Sequence, residues 1–231
     1  MGLSVEIERA PGVSGELVLR RGPAGLEVIA NGVFLVSAAN AASSRALVAA
    51  AWPFVSGDAL DVLIGGLGIG DALDEALGCE RVAAVTVAEL EPVVVRWFRE
   101  HGGARARRAA TAERAGRARV VTGDVAALLD GRQRWDVVAL DTDNGPEWLV
   151  RPENAGLYAD AGLRRVRAAL RDGGVAVFWS PDRYPAFEAA LQHVFGRLET
   201  VTASDIIAGR RFEYTMYVAA RRPADAAQGS G

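Results

Sequence analysis

Asp61-Val-Leu-Ile-Gly-Gly-Leu-Gly-Ile-Gly-Asp71 is the stretch on which the fold turns. Val62 to Ile64 is a short apolar run that opens onto Gly66-x-Gly68-x-Gly70, and a helical pattern comes next. The order is strand, glycine turn, helix. Glycine adopts positive φ without strain and lets a ligand approach the backbone closely. The helix N-terminus behind the turn presents N–H groups that have no intrahelical partner. Together these features predict a grip on a nucleoside-like molecule. The dinucleotide spacing G-x-G-x-x-G does not fit, because the third glycine counted from Gly66 would fall at Asp71.

The next strand supplies a second test. Val82 to Val87 is β-rich, and Glu89 stands at its end. That is about 20 residues beyond the turn, where a carboxylate can accept the hydroxyls of a ribose. An adenosine-bearing ligand is expected, with its remaining chemistry open. From Asp58 onward strands and helices alternate, which predicts a parallel sheet covered by helices. Strands are expected over 60–65, 82–88, 118–122, 136–141, 174–179 and 213–220, and helices over 70–78, 91–101, 124–130, 154–171 and 184–195. The Arg- and Ala-rich run Arg105 to Arg117 fits a helix or a solvated loop, and the loop is the expected reading. The final strand, from Glu213, follows a loop from Ser204 to Arg211 and can insert antiparallel without a crossover helix.

Residues 1–36 differ from the rest of the chain. Short alternating runs and an Asn31-Gly32 pair predict a small antiparallel extension with a hairpin. A helix from Ala38 to Trp52, ended by Pro53, leads into the main domain, which spans 37–222. The small, polar residues 223–231 are an expected disordered tail.

Composition narrows the function classes. Hydrophobic residues make up 50% of the 231, enough for a full core. A net charge of −3, with all 26 basic residues arginine, gives no electrostatic case for a nucleic-acid partner. No apolar run reaches the roughly 18 residues that would cross a bilayer. Acids and arginines interrupt the first thirty residues, so no signal peptide is expected. The single cysteine, Cys79, excludes an internal disulfide framework and fits a reducing cytoplasm. Two histidines and no Cys/His cluster predict no metal site.

Three acids are expected at the carboxyl ends of strands, where open α/β sheets bind ligands: Glu89, Asp124 and Asp141. Asp124 also fits a helix N-cap, and the two roles are compatible. Asp141 ends the apolar run after Asp136 and precedes an irregular loop. A buried carboxylate there is costly unless something pairs with it.

At this point a resemblance becomes specific. The spacing Gly66-x-Gly68-x-Gly70 resembles the S-adenosylmethionine (SAM) loop of class I methyltransferases. The chain from about Val28 to Val218 is similar to the spermidine/spermine synthase branch of that superfamily. The pieces that carry it are Asn31-Gly-Val-Phe, Val62-Leu-Ile-Gly-Gly-Leu-Gly-Ile-Gly, Val87-Ala-Glu-Leu-Glu-Pro-Val-Val, Thr122-Gly-Asp, Trp135-Asp-Val-Val-Ala-Leu-Asp and Leu170-Arg-Asp-Gly-Gly-Val. The resemblance implies a doubly wound, Rossmann-like α/β sheet that binds SAM or decarboxylated SAM. It implies that Gly66, Gly68, Gly70, Glu89 with Leu90, Asp124 with Val125, and Asp141 hold the cofactor. Glu89 would take the ribose and Asp124 the adenine, with Asp141 the catalytic aspartate that can receive a proton from the attacking amine. Asp143, Asn144, Trp148 and Tyr158 follow as acceptor-pocket candidates; for Trp148 and Tyr158 core packing is an equal expectation.

The departures count as well. Polyamine synthases read Gly-Gly-Gly-Asp-Gly-Gly in the first loop and use its Asp to bind the cofactor amine; Ile69 is read at that place here. The family's Gln, Tyr and His are missing from Asn31 to Ala51, and no acid replaces them. The expectation is therefore a SAM-dependent transferase, foremost a methyltransferase acting on a small molecule. Aminopropyl transfer is the alternative, and a non-catalytic nucleoside-binding protein is the contrasting class. The oligomeric state is open, with a homodimer among the options.

Overall fold

In the computed structural model the described residues are 4–142, 145, 154–207 and 209–221, with the side chains of 33–36 excepted. Alternating residues near the N-terminus build four antiparallel strands in chain order: β1 (Val5–Gly12), β2 (Gly15–Gly22), β3 (Gly25–Ala30) and β4 (Val33–Ser37). Asn31 and Gly32 both take positive φ, +49° and +82°, as a tight hairpin between right-twisted strands requires. The Asn31 side chain ties this turn to the β1–β2 turn, donating to the Ser14 carbonyl at 2.6 Å and accepting from Glu16 N–H at 3.1 Å.

A single 3₁₀ turn leads into α1 (Ala41–Ala49), whose N-terminus is capped from a distant strand. Asp205 accepts from Ala42 N–H at 2.9 Å and Ser43 N–H at 3.0 Å, satisfying donors that the helix cannot.

The alternation then runs β5 (Leu60–Gly65), α2 (Asp71–Gly78), β6 (Val82–Glu89), α3 (Pro92–His101), α4 (Gly103–Arg114), β7 (Ala118–Thr122), α5 (Val125–Leu129) and β8 (Trp135–Leu140). It continues with α6 (Ala155–Tyr158), α7 (Asp160–Ala169), β9 (Leu170–Ser180), α8 (Pro185–Phe195), β10 (Gly196–Ile207) and β11 (Arg210–Arg221). Seven of these strands form one sheet in the order β10-β11-β9-β8-β5-β6-β7. All neighbours are parallel except β11, which runs antiparallel to both β9 and β10. The doubly wound α/β expectation and the antiparallel last strand both hold.

Burial on both faces explains the unbroken apolar runs. Val62 and Ile64 of β5 join Val137 and Ala139 of β8 in the core beneath α1 and α2. Leu63, Val138 and Leu140 point the other way, into the core with α7 and α8. Chain order reverses at β5, with β6 on one side and β8 on the other. A crevice at the carboxyl ends of strands is the consequence of such a switch.

Three expectations need correction. Arg105 to Arg117 is mostly helix, α4, not a solvated loop. Ala109 and Ala112 face the core, while Arg105 and Arg108 pair with Asp71 and Asp74, one turn apart on α2, at 2.8 and 3.3 Å. The segment from Ser204 is not a loop: it belongs to β10, which pairs with β11 from Gly196↔Arg221 to Ile207↔Arg210. The helix expected over 154–171 is two helices, broken at Ala159, whose ψ of 161° is extended. α7 then crosses so close to α6 that a Cβ at Gly162 would collide with the Gly156 carbonyl. Among the described residues no helix is long and apolar enough to cross a membrane.

Candidate active site

The glycine turn is stitched to both neighbouring strands. Gly66 N–H donates to the Ala88 carbonyl of β6 at 2.8 Å, and Asp141 N–H, just past β8, donates to the Gly65 carbonyl at 2.9 Å. Gly66 has φ +99°, and a Cβ there would press into the Asp141 carbonyl oxygen. Only glycine lets the two strand ends come this close. Gly68 follows with φ +51°. Gly70, φ +87°, caps α2, and its bare Cα lies against the Phe98 ring.

Glu89 ends β6 and turns its side chain back under this loop. Its Oε2 accepts from Leu67 N–H at 2.8 Å and its Oε1 from Glu91 N–H at 2.9 Å. Glu89 as a residue is only 8% exposed. Burial pushes its pKa up, and the backbone donors of Glu91, Leu67 and Gly68 oppose that shift. A carboxylate has about four acceptor sites, so Glu89 retains acceptor capacity beyond these contacts. Leu90 is half-buried beside it. The Glu89 carbonyl accepts from Gly123 N–H at 2.8 Å, which brings the end of β7 alongside. Asp124 sits there, exposed on the rim, as the N-cap of α5, its Oδ1 accepting from Ala126 N–H at 2.8 Å; Val125 behind it is buried.

On the opposite side Asp141 is half-buried at the tip of β8. Thr142 next to it is fixed from two directions. Its carbonyl accepts from Asn154 Nδ2 at 3.0 Å, and its hydroxyl lies 3.4 Å from the Tyr158 hydroxyl. Tyr158 is buried, with its ring edge-on to Phe187 at 5.7 Å, so it is a core residue that reaches the strand tip with its polar end. Asp143, Asn144 and Trp148 lie outside the described residues.

The structure thus brings Gly66, Gly68, Gly70, Glu89, Asp124 and Asp141 to one end of the sheet, with β6, β5 and β8 laced by backbone hydrogen bonds across it. Ile69 does not face this crevice. It is 5% exposed and packs with Leu17, Leu19, Val28, Val94 and Trp97, pinning the N-terminal sheet to the glycine turn. The reading of Ile69 at the loop-Asp place needs correction: counted along Gly65-Gly66-Leu67-Gly68-Ile69-Gly70 the fourth place is Gly68, which has no side chain.

Two further groups had no local signal in the sequence. Glu91, 3% exposed, points away from Glu89 and accepts from Val13 N–H and Ser14 N–H, both at 2.7 Å, at the tip of the β1–β2 hairpin. Asp71 opens α2 with its side chain 1% exposed between two arginines. Its Oδ1 meets Arg105 at 2.8 Å and Arg45 of α1 at 3.2 Å, and its Oδ2 has no hydrogen-bond partner. Burial raises the Asp71 pKa against the pull of both guanidinium groups. Among the described residues no three His, Cys, Asp or Glu side chains gather as a metal site would need.

No family model matches the sequence, and no curated protein matches it. Solved structures do match in shape. A spermidine synthase from Thermotoga maritima superposes with a TM-score of 0.73 at 15% identity, over 94% of this chain and 72% of that one. A spermidine synthase in complex with the transition state analogue AdoDATO superposes with a TM-score of 0.72 at 17% identity, over 95% and 74%. The fold is that of the spermidine synthases. The shared architecture is a Rossmann-like, doubly wound α/β fold; in this chain it is a mostly parallel seven-stranded sheet with β11 antiparallel.

Proposed function

We propose that this chain is a SAM-dependent transferase, foremost a methyltransferase acting on a small-molecule acceptor in the cytoplasm. The observation that carries it is the laced strand-end rim, with a side-chain-free cradle at Gly66 and Gly68 between Glu89 and Asp141. A Cβ at Gly66 would collide with the Asp141 carbonyl oxygen, so glycine is what lets the ends of β5 and β8 meet at this rim.

When bound, SAM supplies an electrophilic carbon on a sulfonium leaving group. Glu89 would accept the ribose hydroxyls with its remaining lone pairs, and Leu90 and Val125 would belong to the adenine side of the site. Asp124 takes the adenine amine at the rim. Asp141, held by its own N–H against Gly65, orients the acceptor and receives its proton as the new bond forms. Asn154 and Tyr158 fix Thr142 and so steady the segment that carries Asp141. Alignment and exclusion of water account for most of the rate in this scheme, because the leaving group is already activated.

The second reading is aminopropyl transfer, favoured by the spermidine synthases among the structural neighbours. Against it stands the absence of an acid at the glycine turn's fourth place and from Asn31 to Ala51. An ammonium enclosed without a carboxylate is costly. The deciding experiment is a product assay with SAM and decarboxylated SAM against putrescine, spermidine and a panel of small nucleophiles. Methylated product from SAM is expected. Efficient formation of spermidine or spermine would replace the methyltransferase reading with the polyamine one.

A further inference from the structure

Trp179 is an indole at a strand tip with one edge left open. β8 and β9 run parallel with Leu140 beside Phe178, so the next residues along, Asp141 and Trp179, follow side by side at the carboxyl end of the sheet. Alternation sets both on the face that α1 covers, opposite to Phe178. Trp179 packs at the margin of that core and is only half-buried. Among the described residues no hydrogen bond holds its indole N–H. A core indole normally finds a partner for that donor. This one keeps both a ring edge and an N–H for something outside the chain.

The ring is fixed from behind. Tyr214 of β11, 8% exposed, lies against it with centroids 5.3 Å apart and planes at 33°. Asn40, just before α1, donates from Nδ2 to the Tyr214 hydroxyl at 3.2 Å. Burial, with the charge of Asp205 added, holds the Tyr214 pKa up and keeps it a neutral phenol. Asp205 itself spends one oxygen on Ala42 N–H and the other on Ser43 N–H, at 2.9 and 3.0 Å. The wall beside Asp141 therefore offers a π face and a donor, but no further carboxylate for a cation. An ammonium enclosed there is costly, whereas a neutral planar ring asks only for a face to stack on.

We propose that Trp179, backed by Tyr214, is the wall on which the acceptor stacks, and that the acceptor is a planar aromatic compound bearing a hydroxyl or ring N–H. The inference rests on the SAM reading above and names its substrate class. A ring lying on Trp179 brings its nucleophilic atom beside Asp141, which takes the proton that the atom gives up.

The test is ligand-observed NMR titration of the protein saturated with S-adenosylhomocysteine, using 2-naphthol, decahydro-2-naphthol and putrescine. The first two share a carbon skeleton and a hydroxyl and differ in planarity. Wild type is expected to bind 2-naphthol about tenfold more tightly than either of the others, the worth of a well-stacked aromatic pair. Trp179→Leu, which keeps an apolar side chain and loses the π face, is expected to erase that preference. Trp179→Phe should keep most of it. Unchanged S-adenosylhomocysteine affinity in both variants reports an intact fold. Wild type that binds decahydro-2-naphthol or putrescine as well as 2-naphthol, or binds none of the three, overturns this inference and leaves the cofactor reading standing. So does a Trp179→Leu protein that keeps the preference. Failure of wild type to bind S-adenosylhomocysteine overturns both.

Discussion

Replacing Glu89 separates its structural contacts from its proposed role at the ribose. In the folded protein its carboxylate accepts the N–H groups of Leu67 and Glu91. Glu89→Ala orphans both donors in a buried place, at about 1–3 kcal/mol each, so a stability loss of about 2–6 kcal/mol is expected. Glu89→Gln keeps the volume and one acceptor oxygen but sets an amide NH₂ against the other N–H, at about 1–3 kcal/mol. That loss is partly offset. Burial raises the Glu89 pKa, so the ionised side chain costs stability as pH rises through its folded value, and glutamine removes that cost. The glutamine variant should therefore fold, with a denaturation midpoint close to wild type at neutral pH. Its affinity for S-adenosylhomocysteine should still fall about ten- to a hundredfold, because a charged acceptor for the ribose hydroxyls is worth about 1.5–3 kcal/mol. Urea denaturation and calorimetry on the same preparation read the two effects independently. If Glu89→Gln bound the nucleoside as wild type does, Glu89 would be a strut for the glycine turn and the ribose acid would lie elsewhere.

Asp141→Asn should leave folding and cofactor affinity nearly unchanged and lower turnover about 10²–10⁴-fold; unchanged turnover on a true acceptor would make Asp141 a positioning residue only. Gly66→Ala puts a Cβ at φ +99° against the Asp141 carbonyl, so a destabilisation above about 1 kcal/mol is expected, together with loss of nucleoside binding. Acid should loosen the N-terminal sheet. The guanidinium of Arg96 and the indole N–H of Trp97 hold the Glu8 carboxyl at about 2, down from an ordinary 4.5. A lowered folded pKa stabilises above the unfolded value and is lost as pH falls through the folded one, so melting temperature should drop between about pH 4.5 and 2. Glu8→Gln should flatten that drop, and an identical acid profile would show that Glu8 does not anchor the sheet.

Legibility along the chain tracks how local the forces are. β5 and β8 are buried on both faces, so their apolar runs stand out, and three strand-end acids follow from the alternation around them. The end of β10, from Ser204, reads as a loop because an edge strand with one neighbour needs no apolar face, and most of its residues are at least partly exposed. α4 reads as solvated because its arginines conceal an alanine face and discharge onto acids of α2. The contacts of Asp205 with α1, of Glu91 with the β1–β2 hairpin and of Arg45 with Asp71 join residues 163, 78 and 26 positions apart at their widest. Such pairs leave no spacing in a sequence; only the fold brings them together.

The Glu89-Leu90-Glu91 triplet shows how the extra sheet bears on the site. Alternate side chains of an extended segment point in opposite directions. Glu89 turns toward the glycine turn, and Glu91 turns toward the hairpin tip at Val13 and Ser14. Ile69 makes the reciprocal contact, leaving the turn to pack among Leu17, Leu19 and Val28 of the sheet. The turn and the acid below it are thus each fastened to β1–β3, through an apolar knob in one case and a pair of charge-assisted hydrogen bonds in the other. A change at Glu91 would remove the acceptor shared by the Val13 and Ser14 N–H groups at the hairpin tip and so loosen the segment that carries Glu89. The N-terminal sheet therefore braces the glycine turn and the Glu89 segment from outside the main sheet.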